Sequence, residues 1–431
     1  MRNPVQVLDQ FLLQYHLHQQ SLLLALSGGP DSLCLFHCLL ICQKKFSFSF
    51  HVAHVDHGWR AESAMEAAAL QQLAQNYGIP FHTKKLDPHQ LKGNLENACR
   101  QERQLFFAEI CQKYHLQGVL LGHHRDDQAE TVLKRLLEGS HWTNLIGLRP
   151  DILINKIRFF RPFLPLSKQD IREWLKQYGY QAFEDPTNED VRFLRGRMRQ
   201  RIIPALNHEF GKDVCSALNS ISREAQELRD YFTKRITPIL AKQVKGPLGI
   251  YLDLQEYVLE PIEIKYIIRQ FCEEVGCSLS KAQIELAKQG LLKGVADCLI
   301  EADTLQIWID RRKIFIFDGH KKLGTWKADW KVTNKFVEDT NWQQGWNQGF
   351  RTILPLGEYQ LAPAVACAPY RHVSSSIGKW WSTHKIPAFL RRFVPVLWQG
   401  TLIYHEFLTG KNLSDLSKDK DYLEVKLYYQ T

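Results

Sequence analysis

Residues 22–40, LLLALSGGPDSLCLFHCLL, set five consecutive apolar residues before a Ser-Gly-Gly-Pro-Asp-Ser turn and a second apolar run behind it. Such a stretch predicts a buried strand fed through a tight turn into a buried helix. The pattern recurs. Leu22–Leu26, Phe48–Val55, Ile79–Lys85 and Gly118–Leu121 read as strands, and Leu33–Cys42, Glu62–Tyr77, Asn94–Tyr114 and about Asp126–Glu138 as helices. Strand and helix in alternation demand a parallel sheet with helices on both faces.

Beyond the alternating region the pattern changes twice. From about Phe210 to Gly290 it is mostly helical, as in SALNSISREAQELRDYFTKRI, and from Leu305 onward strands such as LQIWIDRRKIFIFDG appear with turn residues and tryptophans. With 431 residues and no internal repeat, the expectation is three domains at 1–209, 210–310 and 311–431. The fold class is α/β: a parallel-sheet N-terminal domain, then a mainly helical domain, then a small α+β C-terminal domain. No apolar stretch reaches 18 residues, and the first twenty residues lack a small-residue cleavage site, so a cytoplasmic protein without a membrane segment is expected. Ten cysteines are scattered, several inside apolar runs, and no Cys-x2-Cys pair exists. They read as reduced core thiols rather than metal ligands. The net charge of +9 favours a polyanionic partner if the charge clusters.

The turn itself suits an anion. A strand entering a helix through glycines aims backbone N–H groups and the positive end of the helix dipole at whatever lies above. Gly28 and Gly29 permit close approach, Ser27 and Ser32 add hydroxyls, and Pro30 starts the helix without needing an N–H. Asp31 is tolerable beside a phosphate only with a bridging cation or in an orienting role. No lysine follows the glycines as a Walker A loop requires, and no Gly-x-Gly-x2-Gly occurs. An ordinary serine-capped turn would explain a bare Gly-Gly pair; six specified residues in this context ask for more.

The segment SGGPDS resembles the phosphate loop of the N-type ATP pyrophosphatases, the PP-loop superfamily, which split ATP into AMP and pyrophosphate. HVAHVDHGWRAES, GHHRDDQAETVLKRLLEGS, and FFRPFLPLSKQDIREWLKQYGYQAFEDPTNED followed by RFLRGRMRQRIIPAL resemble, in order, blocks of the tRNA(Ile)-lysidine synthetases. KWWSTHKIPAFLRRFVPVLW is similar to a segment in the C-terminal domains of longer members. The resemblance implies ATP-dependent joining of L-lysine to the wobble cytidine of a CAU-anticodon isoleucine tRNA. The base's 2-carbonyl oxygen is first adenylated, and the lysine ε-amine then displaces AMP, which moves the tRNA from methionine to isoleucine identity. It also implies nucleotide binding by the first domain, tRNA binding by the other two, and a homodimer.

That chemistry gives the residues tasks. Ser27, Gly28, Gly29, Pro30, Asp31 and Ser32 would grip the triphosphate, with Mg2+ on Asp31, an oxygen ligand suited to a hard cation. Lysine needs carboxylates: Asp127 and Glu130, at i, i+3 on one helical face, are assigned to lysine, with Asp31 and Asp127 as the catalytic pair and Asp126 beside them. A negatively charged first helical turn complementing the dipole is the alternative for these acids. His54, Asp56, His57 and Arg60 gather at the end of the second strand. One of them, taken as His57, would meet adenine or ribose, and Arg60 phosphate. RFLRGRMRQR carries five arginines in ten residues, with Arg192, Arg195 and Arg199 on one helical face. With no acidic neighbour after Asp190, they are expected to contact RNA phosphates. In KWWSTHKIPAFLRR, Lys379, Lys385, Arg391 and Arg392 interleave with Trp380 and Trp381, which suits either RNA or a core.

Three positions depart from the resemblance: Gly196 replaces an expected asparagine, His141 and Asn144 stand where glycines are favoured, and Phe389 replaces a common tryptophan. A tRNA thiolase of the superfamily typically needs paired cysteines. A small-molecule ligase would have no use for the arginine run, and a non-catalytic RNA-binding relic would have no reason to keep the loop and the Asp127/Glu130 pair together.

Overall fold

A computed structural model describes residues 2–56, 63–86, 95–183, 194–302, 305–318, 326–335, 340–362, 381–399, 402–408 and 421–429. His57, Arg60, Arg192, Lys379 and Trp380 lie outside them. The chain divides into two compact units, residues 1–229 and 230–431.

In the first unit the apolar runs form β1 (Ser21–Ala25), β2 (Ser49–Asp56), β3 (Phe81–Lys85) and β4 (Val119–Leu120). The intervening helices are α2 (Pro30–Gln43), α3 (Ser63–Asn76), α4 (Leu95–Lys113) and, after β4, α5 (Arg125–Leu137), with α1 (Pro4–Gln14) ahead of β1. The sheet runs β3-β2-β1-β4-β6-β5. Every neighbouring pair is parallel except the edge hairpin of β5 (Asp151–Ile154) and β6 (Ile157–Phe160). β1 is central, and its leucines split between the faces. Leu22 and Leu24 pack with Phe36, Leu39 and Trp174, while Leu23 packs with Phe106, Phe107 and Ile110 of α4. Both faces are covered at β1, which is why this central strand is a continuous hydrophobic run. Cys34, Cys38 and Cys42 are buried and free, as their place in the apolar run predicts.

The sequence reading stops short of β5 and β6. Asn155 and Lys156 turn the hairpin with φ of 50° and 66°, a primed turn that neither Asn-Lys nor the short strands around it announce. Farther on, α5 shares a small core with the segment after it. Ala129, Val132 and Leu133 pack with Met198, Ile203, Cys215 and Leu218. This contact sets the arginine run against α5. The run itself forms α7 (Leu194–Arg197), after α6 (Lys168–Gln177), and a π-helical turn at Met198–Ile202 that leads into α8 (Ile203–Phe210).

The second unit follows α9 (Val214–Leu240), which spans the division. Its helices α10 (Pro261–Glu273) and α11 (Lys281–Lys293) accompany a five-stranded antiparallel sheet, β7 (Val244–Gly246), β8 (Gly249–Asp253), β9 (Cys298–Ala302), β10 (Leu305–Asp310) and β11 (Lys313–Asp318), ordered β7-β8-β11-β10-β9. Strands of this unit therefore begin at Val244, well before Leu305. The expected boundary at 310/311 falls in the turn of the β10–β11 hairpin, where Asp310 pairs with Lys313. One face of this sheet supplies Tyr251, Trp308, Phe315 and Phe317 to a core shared with Trp342, Trp346, Trp381 and Phe389. Trp381 is thus core, with the Arg391 guanidinium 5.4 Å from its ring centre, and is not an exposed stacking platform. Phe389 is fully buried, its ring centre 5.2 Å from Trp308, 4.9 Å from Phe315 and 5.1 Å from Phe317. Phe389→Ala is expected to destabilise this unit by about 3–5 kcal/mol, read as a lower denaturant midpoint.

Candidate active site

At the carboxyl end of β1 the backbone continues its pairing, Leu26 N–H donating to Ala53 O (2.9 Å), and then turns through Ser27 to Gly29. Gly28 has φ +89°, which only glycine adopts freely, and the Phe183 ring packs on it while Phe183 N–H donates to Gly28 O (3.1 Å). Ser32 Oγ accepts from Ser27 N–H (3.2 Å), lies 3.1 Å from Ser27 Oγ and donates to Gly29 O (3.1 Å). The two hydroxyls brace the turn. Gly29 caps α2 without a side chain and Pro30 occupies its first position, so the helix start presents backbone N–H groups without a competing cap.

A second loop, Gly122 to His124, lies against the first and leads into α5. A Cβ on Gly122 would fall 3.0 Å from both Asp31 C and Ser32 N, so any side chain here would press the two backbones apart. His124 stands just before α5, and its backbone N–H donates to Asp127 Oδ2 (3.0 Å). Its ring joins three acids, with Nε2 3.6 Å from Asp31 Oδ2 and 3.5 Å from Asp127 Oδ2, and Nδ1 3.3 Å from Asp126 Oδ2. Burial opposes charge on His124, but the Asp126 hydrogen bond and the carboxylates of Asp127 and Asp31 outweigh it and lift the ring to about 8. The neighbouring His123 goes the other way. Burial, reinforced by Arg161, Arg195 and Arg103, holds it down to about 3, so the pair is one imidazolium and one neutral ring at pH 7.

The acids divide similarly. For Asp126 burial is outweighed by the His124 bond and by Lys168 N–H (2.9 Å), which bring its carboxyl down to about 2. Asp127 is lowered too, since the His124 charge, the His124 backbone N–H and Arg199 together outweigh its burial. Burial raises Asp31 and Glu130 despite their cationic neighbours. Among the described residues, Asp31 Oδ1 and Glu130 Oε2 are buried without a hydrogen-bond partner. Buried acceptors left without a donor are candidates to receive a cation or a donor.

Arg199 corrects one expectation. The arginine run is not without acidic partners: Arg199 Nη2 donates to Asp127 Oδ1 (2.7 Å) and Nε to Glu130 Oε1 (2.5 Å). Arg195 is exposed, and its charge acts on Glu130 and His123. A further guanidinium that the sequence reading passed over, Arg161, donates to Arg149 O (2.8 Å) and is pushed down to about 10 by burial and by Arg100. Its signal was faint, a lone arginine in FFRPF. His54 is buried at the base of the loop, its Nδ1 2.9 Å from Leu26 O, a structural contact. The departures His141 and Asn144 lie in a stretch tied down from α5. Arg135 donates to Asn144 O (2.5 Å) and Gly147 O (2.8 Å), and Gln128 donates to Ile146 O (2.8 Å).

The folded pKa of His124 exceeds its ordinary 6.5, so its charge stabilises the fold fully below 6.5 and this support fades as pH rises through about 8. The loss amounts to about 2 kcal/mol. Thermal unfolding followed from pH 6 to 9 should show this decline in the wild type and a flatter profile in His124→Gln.

The protein family described as the PP-loop domain matches residues 3–206. The tRNA(Ile)-lysidine synthase of Protochlamydia amoebophila is 42% identical over 447 residues, spanning 100% of this chain and 98% of that protein. The tRNA(Ile)-lysidine synthase of Chlamydia trachomatis serovar L2 is 37% identical over 298 residues, 68% of this chain and 89% of that one. Among solved structures, the U34-tRNA thiolase NcsA of Methanococcus maripaludis with its 4Fe-4S cluster is 18% identical, covers 52% of this chain and 78% of that one, and superposes with a TM-score of 0.43.

Proposed function

The chain belongs to the tRNA(Ile)-lysidine synthase family, and from that premise we propose that it joins L-lysine to the wobble cytidine of a CAU-anticodon isoleucine tRNA. ATP is consumed to AMP and pyrophosphate: the base's 2-carbonyl oxygen takes the adenylyl group as pyrophosphate leaves, and the lysine ε-amine then bonds to C2 as AMP leaves. The observation that carries this reading is the carboxylate pair of Asp127 and Glu130, linked through His124 to Asp31 of the phosphate loop by contacts of 3.5 and 3.6 Å. Activated carbonyl and lysine would meet there.

The backbone from Ser27 to Ser32 grips the phosphates, and Gly122 keeps that backbone in place. Asp31 fits a magnesium ion through Oδ1, which is buried and unbonded. An ion held through one carboxylate and the substrate phosphates is a usual arrangement for magnesium. When bound, magnesium neutralises charge on the phosphates. Charged His124 keeps Asp31 and Asp127 together without mutual repulsion, and the two acids of α5 take the ammonium group of lysine. Arg192 and Arg195 serve RNA phosphates, and His57 the nucleotide. Pairing into a homodimer and a cytoplasmic location complete the proposal; among the described residues no helix is long and apolar enough to cross a membrane.

The test supplies ATP labelled in its α-phosphate, with RNA and lysine added separately and together. AMP and lysyl-RNA should form in equal amounts when both are present. AMP released at the same rate with neither would contradict the reading.

A further inference from the structure

The cleft between Asp127 and Glu130 already holds a cation, the guanidinium of Arg199. We propose that Arg199 is a tethered stand-in for the lysine ammonium group, displaced only when RNA backbone draws it out, so that lysine and RNA bind cooperatively. The proposal rests on the reading of Asp127 and Glu130 as the lysine site.

Geometry comes first. Nη2 and Nε form one edge of the guanidinium fork, and they reach Asp127 Oδ1 at 2.7 Å and Glu130 Oε1 at 2.5 Å. That edge fills the gap between the two carboxylates. A second cation cannot bridge the same two oxygens while it is there. Glu130 is 4% exposed and the Asp127 side chain 13%, so withdrawing Arg199 without replacement would strand two poorly solvated charges. A release therefore has to be an exchange: a new cation for the carboxylates and a new anion for the guanidinium. Lysine supplies the first and an RNA phosphate the second.

The local structure permits such an exchange. The Arg199 side chain is 29% exposed, so its outer side faces solvent while its inner edge holds the acids. It sits in the π-helical turn Met198–Ile202, wedged between α7 and α8. Inserted π turns carry one residue more than the α-helix needs and are common at functional sites. Arg195, four residues earlier, is exposed on the same segment and offers the approaching phosphate a first contact. Positive coupling follows, because each ligand removes a cost of binding the other.

Equilibrium dialysis of radiolabelled lysine against the full-length protein, without ATP, tests this with and without unmodified CAU-anticodon isoleucine tRNA. For wild type the RNA should tighten lysine binding at least about tenfold, and lysine should tighten RNA binding by the same factor. Arg199→Gln should bind lysine more tightly than wild type in the absence of RNA and lose most of the RNA effect. Equal lysine affinity with and without RNA in the wild type overturns the proposal. So does weaker or unchanged lysine binding by folded Arg199→Gln without RNA. The wild-type comparison needs no variant, so a misfolded Arg199→Gln leaves it decisive. Asp127→Asn separates the premise: lysine binding that survives it refutes the lysine site itself, whereas binding that needs Asp127 but ignores RNA refutes only the role of Arg199.

Discussion

Asp127→Asn is expected to lower kcat/KM for lysine by at least about 30-fold while leaving ATP binding in place. The change keeps the volume of the side chain and removes its charge. In the native site that charge takes Arg199 on Oδ1 and the His124 N–H on Oδ2, and Nε2 of His124 stands 3.5 Å away. Removing one partner of a desolvated charge pair costs about 2–5 kcal/mol. If the same carboxylate receives the lysine ammonium, that loss appears in kcat/KM for lysine. Glu130→Gln should act in the same direction, and the double variant should fall short of the sum, because both acids hold one cation. Kinetics with lysine varied and ATP saturating give the number. An unchanged kcat/KM would remove Asp127 from the lysine site.

Gly122→Val should be about as damaging, through a different substrate. A first side-chain atom at this position already lies 3.0 Å from the Asp31 carbonyl carbon and the Ser32 nitrogen. The branched atoms of valine have to push the phosphate loop away from the end of β4. A displacement of about 1 Å at a reacting centre costs roughly 10²-fold in rate. The effect should fall on ATP: weaker nucleotide binding and slower pyrophosphate release, with the fold retained by circular dichroism. Gly122→Ala should show a smaller loss of the same kind.

Both effects concern contacts of unequal legibility. The phosphate loop was readable because an unbroken apolar strand, two glycines and a proline leave the chain few alternatives, and α2 begins at Pro30 as that pattern requires. Asp127 and Glu130 were readable because helical spacing alone puts them on one face. Arg199 was not. Its partners are 72 and 69 residues away, and nothing local to RGRMRQR distinguishes an arginine that faces acids from one that faces solvent. Gly122 was silent for the same reason: one glycine in LLGHH gives no sign of the backbone it touches. In the second unit, β7 is three residues with none fully buried and β9 mixes buried, half-buried and exposed ones, so their period is weak beside that of α10 and α11. For Trp381 the tandem tryptophans left core and RNA contact equally open, and its place in one core with Phe389 and the five-stranded sheet decides for the core.

The most direct test of lysine ligation is transfer of radiolabelled lysine to unmodified CAU-anticodon isoleucine tRNA in the presence of ATP and magnesium, followed by digestion to nucleosides. The account predicts label confined to the wobble nucleoside, one lysine per AMP released, and loss of both products in Asp31→Ala. Folded wild-type protein that binds this RNA and ATP yet leaves no lysine on the wobble nucleoside would contradict it.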